Sequence, residues 1–194
     1  MKPLTSQDIL PLDRFLEVRP SHQQEVLGAK AVRRLMVGGH FCFLFENRVT
    51  ARWQIHEMCR VENIRKPSGI AHELRTYNEL IPARNELSTT LLIAYEPESY
   101  RDEMLEKLHG LHDRVSLQVE GCAPVPAVFE RTQFDGDRVS SVQFVRFTLT
   151  DEQRAGLLDF SRAAAIVVDH PAYPHRGELS GAVRGAVVED LLEE

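Results

Sequence analysis

The fold is decided by the stretch "LSTTLLIAYEPESYRDEMLEKLHGLHDRVSLQVE", residues 87–120. Its first nine residues alternate larger and smaller side chains with a period of two, which indicates a strand. The middle part spaces its apolar residues as a helix does: Tyr100, Met104, Leu108 and Leu111. The last part alternates again, with three apolar residues on one face: Val115, Leu117 and Val119. The stretch therefore predicts a strand, a helix and a second strand.

The same succession of elements continues beyond this stretch. Strands are predicted in "PAVFE", "SSVQFVRFTL" and "AAAIVVD", and a helix in "TDEQRAGLLDF", where Thr150 and Gln153 form a capping box. The order from Leu87 to Asp169 is then β-α-β-β-β-α-β, which is typical of a mostly antiparallel sheet with helices on one side. We predict an α+β fold with a loosely ferredoxin-like core, closed by an amphipathic helix in "LSGAVRGAVVEDLL".

Residues 1–82 precede that core and are predicted to be mainly helical with one strand. A capping box at Ser21 and Gln24 opens the first predicted helix. The predicted elements are a helix at about 22–35, a strand in the aromatic run 41–46, and helices at about 48–63 and 69–80. With 194 residues, the chain is long enough for one domain with a sizeable core. We predict a single domain over 1–194, in which 83–194 is the α+β core.

Composition and charge exclude several classes of protein. The net charge of −6 and the pI near 5.8 disfavour binding to nucleic acid or to an anionic membrane, because both require a positive surface. No run approaches the roughly 20 apolar residues that a membrane span needs, and no apolar leader is visible. We expect a cytoplasmic protein without nucleic-acid or membrane partners.

The three cysteines are scattered, at Cys42, Cys59 and Cys122, and form no C-x-x-C. This spacing fits neither a disulfide framework nor a structural zinc site. They are predicted to be buried, reduced thiols.

A row of polar residues follows one stripe of the predicted helix at 48–63, next to the stripe that should be buried. Gln54 and Glu57 belong to this row, and the next helix carries His72 and Glu73. Across two packed helices, Glu57 and Glu73 with His72, or with His56, would form a carboxylate and imidazole set of the kind that binds iron, manganese or zinc. The sequence thus suggests a metal site, although no H-E-x-x-H or E-x-x-H motif supports it.

Two other interpretations explain the same polar row. Glu57 would pair with Arg60 one turn away, and Glu73 with Arg48, Arg52 or Arg60, in a structural ion-pair network. Alternatively, the row would line a pocket for an organic ligand or a catalytic site. The residues alone leave all three interpretations open.

A second candidate segment is "DHPAYPHRGE", which follows a predicted buried strand. It offers Asp169, His170, Tyr173 and His175 on what the prolines indicate is a loop. The alternatives are a binding loop and a proline-shaped turn with solvated histidines.

Five segments together resemble a known family: "KPLTSQDILPLDRF", "FENRVTARWQIHEM", "HELRTYNELIPARNELSTTL", "SVQFVRFTLT" and "DHPAY". They are similar to the uncharacterised bacterial domain-of-unknown-function family numbered 3501, in order and over nearly the whole chain. The resemblance implies one full-length domain and no established reaction. Members are often encoded beside a rubrerythrin and an iron–sulfur oxidoreductase related to heterodisulfide reductase, which implies a role in redox chemistry or oxidative stress.

The matching positions define a predicted pocket between the helices at 48–63 and 69–80. It would be closed by the strand ending at Glu46 and by the segment beginning at Glu86. Its predicted catalytic residues are Glu57, Glu73 and Tyr77, its ligand-binding residues are Glu46, Arg48, Gln54, Arg60, Asn78 and Glu86, and its hypothetical metal ligands are Glu57, His72 and Glu73. The pocket is expected to bind a small ligand or a redox metal such as iron, manganese or zinc. Whether it catalyses a reaction stays open.

A non-enzymatic role is the alternative. The protein would be an adaptor that docks on rubrerythrin or on the iron–sulfur oxidoreductase through an exposed apolar patch, for example on the C-terminal helix. The same helix would equally form a homodimer, the commonest symmetric oligomer.

Overall fold

The computed structural model describes residues 1–130, 134–135 and 138–193. Its helices are α1 (Leu12–Ala31), α2 (Arg48–Val61), α3 (Pro67–Asn78), α4 (Glu98–Lys107), α5 (Asp151–Leu158) and α6 (Gly181–Leu192). Its strands are β1 (Arg34–Val37), β2 (Phe41–Phe45), β3 (Glu86–Ile93), β4 (Val115–Val119), β5 (Val125–Pro126), β6 (Val128–Phe129), β7 (Phe134–Asp135), β8 (Arg138–Val139), β9 (Val142–Thr148), β10 (Ala164–His170) and β11 (Tyr173–Glu178). The predicted α+β class with antiparallel sheet is confirmed.

The strands form two larger sheets and one short hairpin. The five-stranded sheet has the order β1-β2-β3-β9-β6, the four-stranded sheet has the order β11-β10-β4-β5, and β7 pairs with β8. Neighbouring strands are antiparallel. Strand β9 lies beside β3 although about fifty residues separate them, so the register at the centre of the larger sheet depends on a long-range pairing.

One apolar core is shared by the inner faces of the two sheets. The larger sheet contributes Phe41, Phe43, Phe45, Leu87, Leu91, Val145 and Phe147, and the smaller sheet contributes Val115, Leu117, Val119, Ile166 and Val168. Helices α4, α5 and α6 add leucines and valines to the same core. Period-two alternation turns the other residues of each strand to the outer faces.

A second apolar cluster joins α2 and α3 to the first residues of the chain. It consists of Leu4, Ile9, Ala51, Ile55, Cys59, Leu74 and Ile81. Asn47 begins α2, because its side-chain oxygen accepts hydrogen bonds from the backbone N–H groups of Val49 (3.0 Å) and Thr50 (3.1 Å). Both helices lie within two residues of their predicted bounds.

The first helix differs from the prediction. It begins at Leu12 instead of about residue 22, and it continues through Pro20. Burial of Phe15, which is 1% exposed, holds this first part of the helix against α2 and outweighs the local cost of the proline. The predicted helix also ends too late, because residues 34–37 form β1 and pair with β2. The region 1–82 therefore contains two strands instead of one.

The segment "DHPAYPHRGE" is a strand hairpin and not a loop. Its second half is β11, whose Tyr173 pairs with His170 of β10. His170 and Tyr173 are both buried, whereas His175 is exposed, so only one of the two histidines is solvated as the second alternative predicted. Strand β11 is at the edge of its sheet, where a proline is tolerated, so Pro174 misleads a local reading of the sequence.

Within the described residues, no helix has the length and apolar character needed to cross a membrane.

Candidate functional site

Glu57 belongs to an ion-pair network between α1 and α2. Its carboxylate accepts hydrogen bonds from Arg19 (Nε to Oε1, 2.8 Å; Nη2 to Oε2, 3.1 Å) and from Arg60 (Nη2 to Oε2, 3.0 Å). The hydrogen bond from Arg19, followed by that from Arg60, lowers the pKa of Glu57 to about 2. The predicted pair with Arg60 is present, and the structural interpretation of the polar row therefore applies to Glu57.

The three predicted metal ligands are not brought together. Glu57 is engaged by two guanidinium groups, His72 is exposed, and Glu73 is buried. In the described ranges, no group of three or more His, Cys, Asp and Glu side chains is arranged to hold a metal ion. Glu73 also makes no ion pair with the described arginines, so its predicted pairing with Arg48, Arg52 or Arg60 is absent.

Arg48 and Asn78 bind the first residues of the chain instead of a ligand. Arg48 donates to the carbonyl oxygens of Lys2 and Pro3 and pairs with Asp8 (2.9 Å). Asn78 exchanges two hydrogen bonds with the backbone of Leu4, at 2.7 and 2.9 Å. Both side chains therefore fasten the N-terminal segment, residues 1–11, onto α2 and α3.

His56 fastens the same segment from the side of α2. It is 2% exposed, its Nε2 accepts a hydrogen bond from the backbone N–H of Leu10 (2.9 Å), and its ring stacks on Phe15 (4.5 Å between centroids). Burial, followed by the nearby charge of Arg52, lowers the pKa of His56 to about 4. The imidazole is therefore neutral at pH 7 and acts as a hydrogen-bond acceptor.

Acidification should destabilise the protein through His56. In the unfolded chain the imidazole takes up a proton near its ordinary pKa of 6.5, whereas in the folded protein it does so only near pH 4. Stability is therefore complete above about pH 6.5 and falls as the pH decreases to about 4, with a loss of about 2 to 3 kcal/mol between pH 7 and pH 4.5. Urea unfolding at these two pH values measures the loss of unfolding free energy.

The matched controls for this pH effect are two glutamine variants. His56→Gln should remove most of the loss, while His72→Gln, at an exposed position, should retain it. An equal loss in His56→Gln and in the unaltered protein would contradict the assignment. Glu57 contributes a further loss of stability, mainly between about pH 4.5 and pH 2, because its pKa is about 2 in the folded protein and 4.5 in the unfolded chain.

The remaining predicted site residues lie where α2 and α3 meet the larger sheet. Glu46 is buried and accepts a hydrogen bond from the hydroxyl of Thr90 (2.6 Å). Burial raises the pKa of Tyr77 above its ordinary value, and the nearby amide of Gln54 acts in the opposite direction. Glu86 pairs with Arg146 of β9 at 3.4 Å.

A cavity of about 460 Å³ opens beside these residues, between the end of α3 and the outer face of the larger sheet. Its lining residues are Thr76, Tyr77, Glu79, Leu80, Ser88, Val128, Phe129, Glu130, Phe144 and Arg146. Alternation along β9 explains the sheet side of the cavity, because Val145 and Phe147 are buried in the core while Phe144 and Arg146 face outward.

Ser88 is the most enclosed polar group of this cavity. It is 3% exposed, and its neighbours Leu87 and Thr89 point into the opposite, inner face of the sheet. In the described part of the chain its hydroxyl has no hydrogen-bond partner. Among the described residues, the fully enclosed side-chain oxygens without a partner belong to Asn85, Glu86, Tyr95 and Gln143, so the oxygen of Ser88 remains accessible from the cavity and can act there as a donor or an acceptor.

Only part of the predicted pocket coincides with this cavity. Tyr77 lines it, Gln54 lies beside Tyr77, and Glu86 pairs with Arg146. The predicted catalytic residues Glu57 and Glu73 do not line it. Sequence reasoning missed Phe144 and Arg146, although the outward half of the alternating "SVQFVRFTLT" was a signal for an aromatic and a charged side chain on the outer face.

Two other concave surfaces fit a small-molecule site less well. A groove of about 530 Å³ between residues 6–13 and the α2–α3 connection has a mainly apolar lining, and its charged mouth consists of Asp13 and Arg65, which already pair with each other. A basin of about 810 Å³ on the outer face of the smaller sheet is broad and open. Neither combines aromatic walls with a buried serine whose hydroxyl has no partner among the described residues.

The C-terminal helix turns part of its apolar surface inward. Its apolar residues Ala186, Val187 and Leu191 are buried, and Val187 and Leu191 belong to the shared core. Leu192, at its end, is the large apolar residue of α6 that is exposed.

Comparison with known proteins gives a family and a structural relative. A family model described as a protein of unknown function, DUF3501, matches residues 3–191. A crystal structure described as a novel protein of unknown function from Burkholderia pseudomallei K96243 is similar to the chain, with a TM-score of 0.91 and 35% sequence identity over 98% of this chain and 100% of that one. No curated protein matches the chain.

Proposed function

The chain belongs to the family of proteins of unknown function DUF3501, and from this premise we propose that it binds a small organic ligand in the cavity between α3 and the outer face of the larger sheet. One observation carries the proposal: aromatic and apolar walls surround the hydroxyl of Ser88, a residue that is only 3% exposed and whose hydroxyl makes no hydrogen bond with the described residues. Small-molecule sites combine mainly apolar walls with a few convergent polar groups in this way.

The volume and the support of the lining residues agree with this proposal. The cavity of about 460 Å³ lies in the usual range for small-molecule sites. Tyr77 lies beside Gln54, and Arg146 pairs with Glu86 and donates a hydrogen bond to the backbone carbonyl of Glu79. Side chains with such neighbours can meet a ligand with less loss of conformational freedom.

The family resemblance implies a role in redox chemistry, and we include this role in the proposal: the bound ligand would be used in a redox process. A redox metal at Glu57, His72 and Glu73 is not part of it, because Glu57 already binds Arg19 and Arg60. Docking on rubrerythrin or on an iron–sulfur oxidoreductase stays a prediction of the resemblance alone, as does a homodimer through the C-terminal helix.

A fragment screen by two-dimensional NMR on the isotope-labelled protein tests the proposal. Fragments with an aromatic ring should shift backbone signals of residues 76–80, 88 and 144–146 in one cluster. Phe144→Ala should weaken the best fragment about tenfold, because an aromatic wall is lost. Val142→Ala, on the same strand and outside the cavity, should leave the affinity unchanged. Shifts that cluster elsewhere, or no binding by any fragment, would refute the proposal.

A further inference from the structure

The charges around the cavity are unbalanced. Its described lining contains two carboxylates, Glu79 and Glu130, and one guanidinium, that of Arg146. The charge of Arg146 is partly compensated, since its Nη1 lies 3.4 Å from Oε1 of Glu86, although no hydrogen bond joins the two atoms and the arginine side chain is 42% exposed. Neither Glu79 nor Glu130 makes an ion pair within the described ranges. The site therefore carries an excess of negative charge at its rim.

The walls of the cavity add a second attraction for positive charge. Tyr77 and Phe144 contribute two aromatic rings from two different elements, α3 and β9, whereas Phe129 shares the inward face of Val145 and packs in the core. The face of an aromatic ring carries partial negative charge, and it attracts an ammonium or guanidinium group placed within about 6 Å of the centroid. Aromatic walls beside carboxylates are a combination suited to organic cations.

The hydroxyl of Ser88 completes the recognition of such a group. A hydroxyl oxygen has two lone pairs, and it can accept a hydrogen bond from an N–H of the ligand. Because Ser88 is only 3% exposed, a donor that reaches it must be deep in the cavity.

We propose that the ligand of this cavity is an organic cation, a compound with one ammonium or guanidinium group on a small apolar body. This inference rests on the proposed function and adds the chemical class of the ligand. An anionic ligand of the same shape would meet Glu79 and Glu130 without a free cation among the described lining residues, because Arg146 pairs with Glu86. Its binding would be opposed by like charges.

Three probes of nearly equal shape and different charge test the inference by isothermal titration calorimetry. They are 3-phenylpropan-1-ammonium, 3-phenylpropan-1-ol and 3-phenylpropionate, which carry side chains of three carbon atoms. The cation should bind about tenfold more tightly than the neutral alcohol, and the anion should bind most weakly. The advantage of the cation should decrease as salt is raised from low to high ionic strength, because the rim carboxylates are exposed.

Two variants show whether the rim carboxylates cause the preference. Glu130→Gln should reduce the affinity for the cation severalfold and leave that for the alcohol unchanged. Glu106→Gln changes the net charge equally on α4, away from the cavity, and should have no effect. Equal binding of the three probes, a preference for the anion, or an identical effect of both variants would overturn the inference while the proposed function stands. Absence of binding by all three would also overturn it, and the fragment screen then decides separately on the proposed function.

Discussion

Replacing Asp190 with alanine should destabilise the folded protein by about 4 kcal/mol, because it leaves a buried guanidinium without its counter-charge. Asp190 lies on α6 and accepts two hydrogen bonds from Arg33, one of them at 2.9 Å, and the two side chains are each 8% exposed. Asn47, the residue that begins α2, donates a further hydrogen bond to Asp190 at 3.3 Å. The carboxylate of Asp190 thus connects the last helix, α6, to the start of α2 and to Arg33 between α1 and β1. Urea unfolding followed by circular dichroism measures the loss.

Two further variants show whether the loss of stability comes from the buried, unpaired charge or from any substitution of a charged residue. Arg33→Met combined with Asp190→Leu should recover much of the stability, because an apolar pair leaves no charge buried. Asp102→Ala breaks the pair of Asp102 with Arg138, whose side chains are 46% and 51% exposed, and should cost less than about 1 kcal/mol. A loss of similar size in Asp102→Ala and Asp190→Ala would contradict the argument.

Replacing Arg184 with methionine should cost about 3 to 4 kcal/mol of folding free energy, because several buried carbonyl groups lose their donor together. Arg184 is 3% exposed and donates to four backbone carbonyl oxygens at and beyond the end of α5: Gly156, Leu157, Asp159 and Arg162. A positive charge at the carboxyl end of a helix is also favourable. Burial lowers the pKa of Arg184 from its ordinary value, which such an arginine tolerates while staying charged.

One control for Arg184 keeps the charge at position 184, and the other keeps Arg184 and removes the neighbouring ring. Arg184→Lys keeps the charge but not the planar fork, so we expect an intermediate loss. Phe160→Ala removes the ring whose centroid is 4.8 Å from the guanidinium carbon, and should cost no more than about 1 kcal/mol. Amide hydrogen exchange should speed up at residues 156–163 in Arg184→Met. Unchanged exchange there would show that the carbonyl contacts contribute little.

Helices and strands whose start and apolar periodicity are both visible in their own residues were predicted well from the sequence. Asn47 and the apolar stripe after it define α2, and the alternation of Val115, Leu117 and Val119 defines β4. The elements that were missed depend on distant partners. Pro20 and Pro174 resemble boundaries locally, yet packing of Phe15 against α2 and pairing of β11 with β10 decide the outcome. Tertiary contacts of this kind override local propensity.

The same distinction applies to the candidate site. The pair of Glu57 with Arg60 is one helical turn long and was predicted, whereas Arg19 comes from another helix and was not. The cavity depends on β9 lying beside β3, and that register juxtaposes Ser88 and Arg146. The spacing of residues within a single strand or helix does not reveal which strands are paired. The predicted pocket therefore included Tyr77 of α3 and missed the residues that β9 contributes.

The contact between Arg33 and Asp190 spans 157 positions of the chain, and the one between Leu4 and Asn78 spans 74. During synthesis the N-terminal segment emerges first, but its partners on α3 follow only after many further residues have been added. The junction at Arg33 must wait even longer, until α6 has left the ribosome. Contacts between such distant positions slow folding, because much chain entropy is lost before they form. Until α6 is available, Arg33 has no carboxylate partner, and apolar surface that the finished fold buries is exposed. Transient exposure of this kind makes a folding intermediate prone to aggregation and is one reason why chaperones exist.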